Sequence, residues 1–297
     1  MGTQRGAGRT GSPPIGRGRI RAWRACGRHL ATVSLGLVVF GLVAGVTAAV
    51  PESSAGASTI KSNKPYAKAQ LLKLSDLPNG WTKNGSVWVG TSADNDSSSM
   101  FTMTQYPDYS TCLGKPPALS IVAAEASSPD FNSEDGNIDV FDVADVYTSA
   151  EEAKSDFPPF DSPKFAKCFL QEQSSYITQG EQSQWPTGAT FGTPTASVSH
   201  QAKYGDQSGL LEIQVPVTLP AGQGTSNDFL VALVIRHDRS VAELLIDQGK
   251  TLPSAALTGS LAKKLIARMK APPPHNTIIT ALDQETLIAL GGTVNHS

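Results

Sequence analysis

Between Leu210 and Leu219 the chain alternates with a period of two. Leu211, Ile213, Val215, Val217 and Leu219 point one way, and Leu210, Glu212, Gln214, Pro216 and Thr218 point the other. That pattern dictates a strand with one face on a core and the other toward solvent or a cleft. Such a strand cannot stand alone. It needs paired neighbours and a layer to cover its apolar side. The neighbours follow at once. Phe229–Arg236 is apolar on both faces and reads as a central strand, His237-Asp238-Arg239 supplies a tight turn, and Ser240–Asp247 returns. The three predict an antiparallel meander. Pro216 lacks the N–H that a ladder requires, so the first strand is expected at an edge or to carry a bulge.

The covering layer is also legible. Ser149-Ala150-Glu151-Glu152 is a capping box, in which the serine side chain and the glutamate satisfy each other's backbone N–H groups. The helix it opens runs toward Phe157 and stops at Pro158-Pro159. A second helix spans about Pro253 to Met269, with Leu257, Leu261, Leu265 and Met269 forming a stripe at spacing four. Ile121–Ala126 and Ile138–Val146 read as a hairpin pair, with Asp135-Gly136-Asn137 suited to a turn at positive φ. Strands and helices that do not strictly alternate imply an α+β fold: an antiparallel β-sheet with helices packed on it.

A different feature sets the compartment. Leu30–Val50 is apolar throughout, and seven arginines precede it (Arg5, Arg9, Arg17, Arg19, Arg21, Arg24, Arg28). The first carboxylate of the chain is Glu52. A cationic segment before a neutral apolar one is the pattern of an export signal or a membrane anchor, its basic end held in the cytoplasm. At 21 residues the apolar run is long enough to span a bilayer. Small-x-small cleavage patterns follow at Val46-Thr47-Ala48 and Ala55-Gly56-Ala57, so a cleaved signal and a retained anchor both remain open. The expected organisation is therefore a basic segment over 1–29, a signal or membrane helix over 30–50 and a flexible stalk over 51–65. An extracellular domain over 66–270 follows, then a Pro-rich step and mobile tail over 271–297. Setting the seven arginines aside leaves 17 basic residues against 26 acidic ones. An exported part that acidic argues against nucleic acid as a partner, which demands a basic face.

Cys26 lies before the apolar run, which leaves Cys112 and Cys168 as an isolated pair in an oxidising compartment. A disulfide is the simplest use for them, worth roughly 4 kcal/mol by the chain-entropy argument. A redox site would place its cysteines close together as C-x-x-C. A zinc site would want partner ligands, and no histidine lies between them.

Leu71-Leu72-Lys73-Leu74-Ser75-Asp76-Leu77-Pro78-Asn79-Gly80-Trp81 resembles the opening of actinobacterial extracellular sensor domains similar to the ectodomain of mycobacterial serine/threonine protein kinase H. Val146-Tyr147-Thr148-Ser149-Ala150-Glu151-Glu152-Ala153, followed by Cys168, resembles that family's strand, capped helix and cysteine. The resemblance covers roughly Leu71 to Met269. It implies an α+β ectodomain with a cleft beside an antiparallel sheet, acting as a sensing module. Two departures stand out: cysteines for one disulfide where that ectodomain has two, and nothing resembling a kinase Gly-rich loop, H-R-D loop or D-F-G.

Candidate chemistry is sparse. Gly249-Lys250-Thr251 sits where a phosphate loop would lie, but the required earlier glycine is Leu244 and Pro253 interrupts, so a strand-to-helix turn is expected. Asp94-Asn95-Asp96-Ser97-Ser98 begins like a calcium loop, yet Ser99 replaces its turn glycine and Gln105 its bidentate glutamate. His237 beside Asp238, His200, His275 and His296 fit local roles, and no catalytic frame collects them. No cofactor, metal site or catalytic residue is expected. Glu212, Gln214 and Glu243 are candidates to share the polar sheet face and orient a polar ligand.

The expected function is a non-catalytic cell-envelope module that senses or binds a small ligand in a cleft. The alternatives are an envelope protein–protein interaction or structural component, and a hydrolase. The partner is a small ligand or an envelope protein, with membrane contact through Leu30–Val50 if that segment is retained. Free-thiol labelling of denatured exported protein is expected to find Cys112 and Cys168 blocked until a reductant is added.

Overall fold

The computed structural model describes residues 63–91, 111–114, 122–162, 164–182, 185–201 and 203–272. The expected signal or anchor over 30–50, the basic segment before it, the tail from residue 273 and the calcium-like Asp94–Ser98 lie outside the described residues. So do His275 and His296. The chain folds as expected in class: helices pack on both faces of one ten-stranded antiparallel sheet.

In chain order the elements are α1 (Asn63–Gln70), a 3-10 turn (Leu74–Asp76), β1 (Thr82–Asn84), β2 (Trp88–Gly90), β3 (Val122–Ser127), β4 (Asp130–Asn132) and β5 (Ile138–Tyr147). Then come α2 (Ala150–Asp156), α3 (Phe165–Gln182), β6 (Thr190–Phe191), β7 (Thr195–His200), β8 (Gln207–Thr218), β9 (Thr225–His237), β10 (Ser240–Gly249) and α4 (Ala255–Met269). The long strands run β5-β10-β9-β8 across the centre, with β3 and β4 on the outer side of β5 and β6 and β7 on the outer side of β8. The β8-β9-β10 meander is as expected, turning at Asp238 with φ 52°.

The register sorts the side chains into two buried faces. On the first, Phe141, Val143, Leu211, Ile213, Val215, Ala232, Val234 and Leu245 meet Phe157, Phe160, Phe165, Phe169 and Ile177 from α2, α3 and the link between them. On the second, Val140, Val231, Leu233, Ala242, Leu244 and Ile246 meet Leu261, Ala262, Leu265 and Met269 of α4. α1 covers the neighbouring part of that face, packing Tyr66 and Ala67 against Ala124, Ala126, Ala144 and Val146. Each large aliphatic side chain removed from water in this way contributes about 1.5–3 kcal/mol.

The capping box forms as read. The Glu152 N–H donates to the Ser149 hydroxyl at 3.1 Å, and the Ser149 N–H donates to the Glu152 carboxylate at 3.2 Å. The second expected helix starts at Ala255, because Ser254 caps it through the Leu257 N–H. Cys112 and Cys168 are joined, tying the segment 111–114 to α3.

Three expectations change. The pair read as a hairpin over Ile121–Ala126 and Ile138–Val146 is adjacent and antiparallel, but β4 intervenes. Asp135-Gly136-Asn137 closes β4 onto β5, with Gly136 at φ 68°. β8 is not an edge strand, since β9 flanks one side and β6 and β7 the other. Its proline is tolerated because the Pro216 carbonyl accepts the Gly192 N–H at 2.8 Å on the β6 side. A strand residue's N and C=O point the same way, so the proline nitrogen faces the break between β6 and β7 rather than β9. Finally, helix α1 starts at Asn63, within what reads as stalk in the sequence.

Phe160 lies directly over Gly209, where a Cβ would fall 2.0 Å from the ring. Phe160 is itself held between Phe157 and Phe165, at ring-centre distances of 5.7 and 5.1 Å. Gly209→Ala is expected to cost about 1–3 kcal/mol of overpacking in denaturant unfolding.

Candidate functional site

Between α1 and β1 the chain forms a strap, Leu71–Gly80, laid across the second face of the sheet beside α4. Leu71, Leu72 and Leu77 are buried and hold it down. The 3-10 turn folds because the Lys73 N–H donates to the Asp76 carboxylate at 2.6 Å and the Leu77 N–H to the Leu74 carbonyl at 3.1 Å. This is the segment quoted above for its family resemblance: Leu71 and Leu72 anchor it, Leu77 both anchors it and reaches the neighbouring cleft, and Leu74 is exposed.

Two cations of α4 grip the strap. Arg268 donates one guanidinium nitrogen to the Leu71 carbonyl and pairs its other with the Asp76 carboxylate at 2.5 Å. Lys264, one helical turn earlier, donates its ammonium to the Asp76 carbonyl. From the sheet below, Asp142 of β5 accepts the Leu72 N–H at 3.0 Å. Asp142 is completely buried. Burial pushes its pKa up to about 6, against the opposing pull of the Leu72 N–H, the Ser128 hydroxyl and the Arg268 charge.

Between strap and helix lies an open cleft of about 390 Å³. Its apolar lining comes from Leu77 and Pro78 on the strap and from Leu257 and Leu261 on α4. Asp76, Ser260 and Lys264 supply its polar groups. The volume falls in the range of small-molecule sites, which are mostly apolar with a few polar groups that fix orientation. The Asp76 charge is answered by Arg268. The Lys264 ammonium has a carbonyl as its partner, so the cleft carries a net positive group beside an apolar wall.

The three residues singled out from sequence do not converge here. Glu212 and Gln214 lie on the second face, in register rows with Val231 and Phe229. They are half-buried, and their contacts are local: Ser197 donates to Glu212 at 3.4 Å and Gln214 donates to Asn227 at 3.0 Å. Glu243 does not share their face. Its register partners are Val143 and Val234, both in the first core, and it is 1% exposed. There its charge acts on Tyr147. Burial first, then the carboxylates of Asp156, Asp145 and Glu243, push the Tyr147 pKa well above its usual value, and the phenol donates to Asp156 at 2.7 Å.

His237 has a partner that its sequence neighbours do not disclose. Its Nδ1 lies 3.1 Å from Asp206, whose other oxygen accepts the Asp238 N–H at 2.7 Å, with Arg236 at 3.5 Å. Partial burial works to raise the Asp206 pKa, and these donors outweigh it and lower it. The cluster joins the β7–β8 connection to the β9–β10 turn. Gly249-Lys250-Thr251 is a strand-to-helix turn, with Lys250 at φ 74° and its N–H bonded to the Asn227 carbonyl. Among the described residues no group of three His, Cys, Asp or Glu is placed to hold a metal ion. No described helix is long and apolar enough to cross a membrane.

No family model and no curated protein matches the chain. Among solved structures, the extracellular domain of PknH from Mycobacterium tuberculosis is similar to it, at 11% identity, covering 72% of this chain and 98% of that one, with a TM-score of 0.33. At that score the likeness bears on neither family nor function.

Because the folded-state pKa of Asp142 lies above its unfolded value of 3.8, the folded protein bears the cost of a buried charge above pH 6 and loses that cost as pH falls toward 4. Asp142→Asn keeps an acceptor for the Leu72 N–H and removes the charge. The variant is expected to be more stable than the parent at about pH 7.5 by up to about 3 kcal/mol, and the gain should vanish by about pH 4 in chemical denaturation.

Proposed function

We propose that this chain is an exported, non-catalytic module of the cell envelope that recognises a small amphipathic anion between the strap and α4. The cleft carries the reading. Its apolar wall suits a hydrocarbon or ring, and the Lys264 ammonium beside that wall suits a carboxylate or similar head group. Export is supported by the arginine-rich segment before Leu30–Val50, and by a cystine in the folded domain, which an oxidising compartment would preserve.

A second reading, an envelope protein–protein component, has one observation in its favour. Ser197, which is exposed, and Glu212, Gln214 and Asn227, which are half-buried, give the outer end of the second sheet face a polar surface. A partner there would leave the cleft unused.

Decanoate below its micellar concentration is the probe. It should raise the unfolding temperature of the parent protein in a saturable way, as a ligand selective for the folded state must. Ser260→Trp, which fills the cleft mouth from an exposed helix position, and Lys264→Gln should each abolish the shift. An unchanged shift in folded Ser260→Trp would remove the cleft as the site.

A further inference from the structure

The strap is fastened over a carboxylate that water cannot reach. Asp142 is 0% exposed. One of its oxygens takes the Leu72 N–H, and the other has no hydrogen-bond partner among the described residues. The charged groups that act on it are Arg268 of α4 and Asp76 of the strap, and those two are paired with each other. Lys264 is directed to the Asp76 carbonyl. Ser128, on the β3–β4 connection, contributes a hydroxyl, and Leu244, beside Asp142 on β10, is apolar. An ionised Asp142 is therefore incompletely solvated by protein, and the backbone segment bonded to it is the one that also forms the cleft wall.

We propose that the strap Leu71–Gly80 is an acid-closed latch: lifting it hydrates the Asp142 carboxylate, so the ionised form favours the lifted strap and protonation favours the closed one. Within the strap the Leu72 N–H opposes this sense, since it favours an ionised Asp142 beneath the closed strap, but burial outweighs it. The grip of Arg268 on the Leu71 carbonyl and on Asp76 does not depend on a proton at Asp142, so the closed strap keeps its other fastenings when Asp142 is neutral. The consequence for the cleft, a wall held more firmly in mildly acidic surroundings than in neutral ones, rests on the ligand reading above. The latch itself does not.

Hydrogen exchange on the full chain, without ligand and corrected for intrinsic rates, tests it. The amides of Leu72, Asp76 and Leu77 report strap opening, and those of β9 report the sheet. With Asp142 titrating near 6 when covered and near 3.8 when hydrated, opening of the strap should be about tenfold more populated at about pH 7.5 than at about pH 5. The β9 amides should not follow. Asp142→Asn should keep the strap protected at both pH values. A strap protected equally at the two pH values in the parent protein would overturn the proposal, and so would an Asn variant that retains the tenfold change. A chain that binds no decanoate yet shows the pH-dependent strap would retire the ligand reading and leave the latch standing.

Discussion

The architecture follows from β10 being apolar on both sides. Val241 and Leu245 point to one face, and Ala242, Leu244 and Ile246 to the other, and all are essentially without solvent. A central strand of this kind cannot be satisfied by one layer. It requires a helical cover above and below, and the chain provides α2 and α3 on one side and α1 and α4 on the other. The position of each helix is then fixed by which parity of the neighbouring strands is apolar.

That dependence explains what could be read in advance. β8 was legible because polar residues mark one of its faces, and a period of two needs no knowledge of neighbours. The capped α2 and the leucine stripe of α4 are local signals as well. The faces of β10 were not legible: with apolar residues at both parities, only the pairing of Glu243 with Val143 and Val234 decides that it joins the first core and leaves Glu212 and Gln214 on the other side. α3 has a spacing-four row of its own, Phe165, Phe169, Gln173 and Ile177, all buried. Its many glutamines and serines hide that row from a reading based on overall polarity.

The cleft was hidden for the same reason. Asp142 stands in a strand whose acids, Asp139, Asp142 and Asp145, recur every third residue, so they fall on both faces and mark neither one as the solvent side. Only the return of the strap across the sheet, more than sixty residues away in sequence, turns it into an interior group. Arg268 and Lys264 read as ordinary helix-surface cations until the strap lies beside them. Long-range contacts of this sort carry no local periodicity, and the His237–Asp206 contact is a second instance.

Pro216 bears on how the polypeptide reaches its native pairing. β6 and β7 approach β8 from the same side with an interruption between them, and the imino nitrogen occupies that interruption. If either short strand slid along β8, a carbonyl would be aimed at an atom with no hydrogen to give. Misregistered zippering is thereby penalised at one position, as is docking of a stray strand before β6 and β7 arrive. For a newly made chain crowded among others still unfolded, a single ring thus acts as a proofreading device against tangling.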